Sequence, residues 1–320
     1  MRPLFVGERT NVIGSRKFKR LISEGKYEEA AEIARAQVKR GAHVIDVCLA
    51  DPDREELEDI QEFLSYAVNK VKVPLMIDST DEAVIEKALT YSQGKAIINS
   101  INLEDGEERF EKVIPLVKRF GAAVVVGTID EEGMAVTAER KLQVAKRSFD
   151  LLVNKYGLEA NDIIFDPLVF PVGTGDEQYI GSAQATVEGI RLIKEALPDC
   201  LTILGVSNVS FGLPPVGREV LNAVYLYHCT VAGLDYAIVN TEKLERYASI
   251  PEKEKELAKE LLFATTDQNL AEFTAFYRGK KAEKKGRELK PDIRGTISLL
   301  YYRRLKGRFS FRFGASFAKI

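Results

Sequence analysis

Acidic and amide side chains recur at one place in the repeating pattern of this 320-residue chain, at the end of a short apolar run. In order they are Glu8 with Asn11, Asp46, Asp78, Asn99, Thr128 with Asp130, Asp166, Asn208, and Asn240 with Glu242. Singly, each could cap a helix or build a turn. As a set they are mostly hydrogen-bond acceptors with almost no cations among them, which suits a ligand edge presenting several neighbouring N–H donors. Asn208 stands apart, because it sits in the glycine-bounded turn Gly205-Val206-Ser207-Asn208-Val209-Ser210-Phe211-Gly212. Its amide can both donate and accept, and the flanking glycines let backbone approach a flat ligand closely. That turn is the expected reaction centre.

The elements that must position these residues repeat with one period. Apolar runs at 3–6, 43–47, 74–77, 96–98, 122–127, 162–165, 201–204 and 236–239 each precede an amphipathic stretch. In the stretch 27–40, Ala30, Ile33, Ala34, Gln37 and Val38 follow helical spacing, with Glu28, Glu29, Glu32, Arg35 and Lys39 on the other face. Short strands apolar throughout, alternating with helices apolar on one side, are what a parallel sheet covered by helices requires. Eight such units predict a (β/α)8 barrel, whose chemistry gathers at the carboxyl ends of the strands, where the polar set lies. An open doubly wound sheet is the alternative, but no G-x-G-x-x-G follows the first strand.

Composition narrows the function classes. The chain is 45% hydrophobic and 29% charged with a formal net charge of -2, which suits a folded core and gives no general pull toward nucleic acid. Cys48, Cys200 and Cys229 form no C-x-x-C pair, so no disulfide framework or zinc knuckle is expected, and a reducing cytoplasm fits. No apolar window is long enough to cross a membrane. His43 and His228, the only histidines, read as packing residues. A homodimer is compatible with the sequence.

The segments Gly7-Glu8-Arg9-Thr10-Asn11, Ile77-Asp78-Ser79, Ile98-Asn99-Ser100-Ile101, Phe165-Asp166-Pro167 and Gly205-Val206-Ser207-Asn208-Val209-Ser210-Phe211 resemble the methyltetrahydrofolate-binding domain of cobalamin-dependent methionine synthases. The resemblance runs from Pro3 to about Phe263. It implies a pterin-binding TIM barrel whose contacts to the ring come from Glu8, Asp78, Asn99 and Asp166, with Asn208 at N5 and Arg218 in support. Asn11, Asp46 and Asn240 are expected in the same pterin-binding wall. A pterin carries the required edge: its 2-amino group and N3–H can be accepted side by side by one carboxylate, for which Asp166 is the expected clamp. The implied reaction moves the N5-methyl of 5-methyltetrahydrofolate to a Co(I) corrinoid carried by a partner protein or domain. With neither an adjacent-cysteine zinc motif nor Asp-x-His-x-x-Gly in the sequence, this chain is expected to hold neither zinc nor cobalamin itself, and so to perform one half-reaction. Two other readings stay open: a dihydropteroate synthase-like enzyme, and a non-catalytic folate-binding fragment. The former needs cations in the last two strand-end turns, where this sequence has Ser207-Asn208-Val209-Ser210 and Val239-Asn240-Thr241.

The expected organisation is a barrel over 1–265, a helical or charged linker over 266–293 and an irregular basic tail over 294–320. Codons can be chosen for the tail (AGA-GGA-ACG-ATT-TCT-CTA and onward) that, read one base later, encode EERFLYYIIEGSKEGLVLDLEQALQK. That string has amphipathic helical spacing and resembles the start of the cap preceding the corrinoid module in methionine synthases. The tail is therefore expected to be an out-of-frame translation without packed structure.

Overall fold

The computed structural model describes residues 2–278. Within them the eight apolar runs become parallel strands β1 (Leu4–Gly7), β2 (Val44–Val47), β3 (Leu75–Asp78), β4 (Ile97–Leu103), β5 (Ala123–Asp130), β7 (Ile163–Asp166), β8 (Leu201–Gly205) and β9 (Tyr236–Val239). A short antiparallel strand, β6 (Gly133–Met134), folds back on β5. The neighbour order β4-β3-β2-β1-β9-β8-β7-β5 closes through a β4–β5 pairing, so the protein is a TIM barrel. Val6, Val44, Met76, Ile97, Ala123, Val125, Ile164 and Ile203 fill its interior.

Ten helices surround the barrel among the described residues: α1 (Arg16–Ser23), α2 (Tyr27–Lys39), α3 (Glu56–Lys70), α4 (Glu82–Leu89), α5 (Glu108–Phe120), α6 (Ala138–Asp150), α7 (Ser182–Ala196), α8 (Pro215–Ala232), α9 (Glu252–Phe263) and α10 (Asp267–Tyr277). Each presents a buried stripe at helical spacing; in α5 it is Phe110, Val113, Ile114 and Val117. Local chemistry sets several starts. Ser15, Asp81, Thr137 and Thr266 accept backbone N–H bonds at the N-termini of α1, α4, α6 and α10. α8 begins at Pro215, earlier than the apolar spacing alone indicates, because proline at the first helical position needs no donor there.

Three features depart from the periodic reading. β4 and β5 run on to Leu103 and Asp130, past the expected 98 and 127. α6 does not stop at Asp150 but closes with a π-helical turn at Leu151–Lys155. α10 falls in the stretch expected as linker, yet it buries Phe273 and Tyr277, and their rings crowd Gly217 of α8, where an added Cβ would meet Phe273 at 2.8 Å. The folded unit therefore runs through Tyr277. The rest of the expected linker and the tail at 294–320, with its reading-frame expectation, lie outside the described residues.

The three cysteines are buried free thiols. Both histidines pack as expected: the Nδ1 of His43 accepts from the Phe5 amide at 3.0 Å, and the His228 ring meets Phe263 edge-on at 4.9 Å. No helix among the described residues is long and apolar enough to cross a membrane.

Candidate active site

Parallel closure brings the carboxyl ends of all eight strands to one mouth, and the polar set follows. β1 ends at Gly7, and the next turn carries Glu8 and Asn11. The Asn11 side chain is both scaffold and bridge. Its Oδ1 accepts from the amides of Ile13 and Gly14 at 2.9 and 3.0 Å, shaping the loop, while its Nδ2 donates to Asp46 Oδ2 at 3.0 Å and Asp78 Oδ2 at 3.2 Å. One amide thus holds two carboxylates from neighbouring strands. Beneath it, Thr10 donates to the Asp46 carbonyl and Gln37 of α2 donates to Thr10 Oγ1 at 3.2 Å.

The carboxylates are held where ionisation is costly. Burial, then the neighbouring Asp78, raises Asp46 well above the usual carboxylate range, with Glu8 adding to it and Asn11 opposing. Its Oδ1 is buried without a hydrogen-bond partner among the described residues, a cost the fold does not offset internally. Burial and Glu56 push Asp78 to about 6. Glu8 is raised by burial, against the bond it accepts from Ser207 and the charges of Arg9 and Arg218. Across the mouth, burial pushes Asp166 to about 6 against the Leu168 amide and Lys141. Such a cluster of carboxyl groups raised by burial is a recognised mark of a functional site.

The turn after β8 forms the opposite wall. At Gly205 an added Cβ would lie 3.1 Å from Asn208 Nδ2, so a side chain there would press on that amide. Asn208 is exposed toward the mouth. Ser207 donates to Glu8 Oε2 at 2.9 Å, tying this turn to the first strand. Arg218 of α8 bonds Ser210 Oγ at 3.1 Å and the Ser207 carbonyl at 3.3 Å, so it braces the turn that carries Asn208.

Asn99 ends the β3-paired part of β4, opposite Asp78 in register, and is half-buried. Asn240, after β9, accepts from the Glu242 amide at 3.2 Å and shapes its own loop. Asp130 leaves the set: both its oxygens accept from Arg140, at 2.6 and 2.7 Å. Thr128 donates to the Asp166 carbonyl at 3.2 Å. Spacing assigns no role to Glu56 or Lys141. Only Lys141 left a trace, as a cation in register with Ala138, Ala145 and Ser148 on the buried stripe of α6.

A family of pterin-binding enzymes matches this chain over residues 7–240, the span from the first strand end to the last. The chain belongs to that family. It is 40% identical over 263 residues to the methionine synthase of Mycobacterium tuberculosis and 38% identical to that of Mycobacterium leprae. In both comparisons 81% of this chain is covered but only 22% of the relative, so the chain corresponds to about a fifth of those proteins. Among solved structures it resembles dihydropteroate synthase from Xanthomonas albilineans in complex with 7,8-dihydropteroate, with a TM-score of 0.53 and 17% identity over 81% of this chain and 94% of that one. The Yersinia pestis enzyme with a pterine-sulfa conjugate gives a TM-score of 0.51 and 16% identity, covering 87% and 94%. At those identities the likeness is one of fold.

Proposed function

We propose that this chain binds 5-methyltetrahydrofolate at the barrel mouth and transfers its N5-methyl group to a Co(I) corrinoid carried by another domain or protein. The observation that carries the reading is the set of carboxylates at Asp46, Asp78 and Asp166, all raised by burial and with Asp46 Oδ1 left without a partner, at the same barrel mouth as a turn with an exposed amide, Asn208. The identity to methionine synthases supports methyl transfer over pteroate synthesis.

In this reading Asp166 accepts the 2-amino and N3–H donors together, and Asp78 and Asn99 take the remaining ring nitrogens and amino group, with Glu8 beside them. Each bond is worth about 1 to 3 kcal/mol when its loss strands a buried group. The same donors lower the cost of holding these carboxylates ionised. N5 is a poor leaving group until it is protonated or strongly hydrogen-bonded. As the methyl departs, the bonding pair stays on N5, which takes up a proton from solvent. Asn208 can donate to the N5 lone pair or accept from an N5–H, so its hold strengthens as the proton arrives, which is preferential stabilisation of the transition state. The acceptor supplies the nucleophile, and exposed apolar side chains stand past the strand ends to meet it: Ile13 after β1, Met134 on β6 and Phe211 after β8.

A calorimetric titration with 5-methyltetrahydrofolate, paired with an assay for pteroate formation from pterin pyrophosphate and p-aminobenzoate, tests the reading. Saturable folate binding with no pteroate formed is expected. Absence of folate binding, or turnover to pteroate, overturns it.

A further inference from the structure

Lys141 is a fully buried cation, and the chemistry proposed above gives it no part. It projects from the inward stripe of α6, and its Nζ donates to the Ala135 carbonyl at 2.8 Å and to the Pro167 carbonyl at 2.6 Å. The first acceptor lies just past the β5–β6 hairpin. The second is the peptide oxygen next to Asp166. The ammonium also lies 5.0 Å from the centre of the Phe170 ring, which stacks on Tyr179 at 4.7 Å. A buried ammonium is costly unless it is paired.

What it pairs with is the turn that aims Asp166. Leu168 has a φ of 66°, the one non-glycine residue in the left-handed region among the described residues. Such a conformation persists only where its surroundings over-determine it. Here the Leu168 amide donates to Asp166 Oδ1 at 2.8 Å, Thr186 donates to the Leu168 carbonyl at 2.9 Å, and Lys141 takes the Pro167 carbonyl between them. The charged group facing Lys141 is Asp166 of β7. Its neighbour Arg140 turns away to Asp130 and Glu132, and Glu188 of α7 pairs with Arg191. Tyr225 of α8, whose hydroxyl is buried, faces Asp166 from the other side.

We propose that Lys141 is a positioning residue for the pterin clamp: an internal cation that holds the Asp166–Leu168 turn in its strained shape and favours the ionised Asp166 carboxylate. The proposal rests on Asp166 serving as that clamp. Burial pushes Lys141 down to about 7, against Asp166, while Lys141 works to lower Asp166. The cation is therefore present at and below neutral pH, the range in which the carboxylate needs it.

The test is Lys141→Met in the full chain, read two ways. Carbon NMR of labelled aspartate, with Asp166→Asn for assignment, gives the Asp166 midpoint without ligand. Removal of a neighbouring cation should raise that midpoint by about one pH unit. The affinity for 5-methyltetrahydrofolate should then fall about fivefold further near pH 6 than above pH 8, where Asp166 is ionised in both proteins. An unmoved midpoint, or an affinity loss equal at every pH, overturns the proposal. A raised midpoint in a protein that binds no folate leaves Lys141 as the partner of Asp166 and removes only the folate reading. If Lys141→Met does not fold, Gly189→Ala replaces it, since the added Cβ would lie 2.8 Å from Lys141 Cδ and displace the stem. The midpoint should rise there too, and a folded Gly189→Ala protein with the wild-type midpoint overturns the proposal.

Discussion

Ser207 Oγ donates to Glu8 Oε2 across 2.9 Å, joining residues 199 apart in sequence. The bond couples the first strand end to the turn carrying Asn208, and it works against the burial that raises Glu8. Ser207→Ala should raise Glu8 further and free the turn, weakening folate affinity about three- to tenfold, the worth of one hydrogen bond to a charged group that stays partly solvated. Calorimetry checks this, and an unchanged affinity would detach Glu8 from the site.

How far this site could be read from sequence depended on which residues answer to a period. Strands buried on both faces and helices buried on one leave unmistakable spacing, so the ends of the strands, and with them Asp46, Asp78, Asn99, Asp166 and Asn208, could be located in advance. Spacing carries no information on who competes for a side chain. Asp130 occupies a strand end as Asp166 does, but Arg140 takes both its oxygens. Nor does spacing show that the amide of Asn11 is shared between Asp46 and Asp78. Arg218 reaches the Ser207–Ser210 turn. The burial of α10 was not legible either, because it depends on two aromatic rings meeting a glycine on α8.

The carboxylate wall should trade stability for binding. Asp78 is pushed up to about 6 in the fold, against about 4 in an unfolded chain. The folded protein therefore binds that proton more tightly. The penalty for ionised Asp78 is absent below about pH 4, complete above about pH 6, and unliganded stability falls as pH rises through that window. Asp78→Asn should melt roughly 5 °C above wild type at pH 7.5, lose most of that gain at pH 4, and bind folate more weakly. Melting curves at the two pH values decide it, and a variant less stable than wild type at pH 7.5 would contradict the electrostatic account.

Clamp and reaction centre should separate kinetically. Asp166→Ala should raise the folate concentration needed for saturation, whereas Asn208→Ala should also slow methyl transfer from bound folate by about a hundredfold, the cost of losing one donor at a developing charge. Single-turnover rates at saturating folate distinguish them. Equal losses of affinity alone in both variants would refute the role given to Asn208.

The residues 294–320 carry a separate expectation, open to a single sequencing run. The nucleotide sequence near codon 293, read one base later, should continue as an amphipathic helix of the kind encoded by EERFLYYIIEGSKEGLVLDLEQALQK. A shifted frame that does not continue so would end the idea.

The central claim is methyl transfer from N5 to cobalt, and it is met most directly by following Co(I) corrinoid absorbance under anaerobic conditions after mixing with 5-methyltetrahydrofolate and the full chain. The account expects Co(I) to disappear in proportion to protein concentration, far faster than in the protein-free mixture. A rate no greater than that background, from a protein shown in the same buffer to have bound its folate, would contradict it.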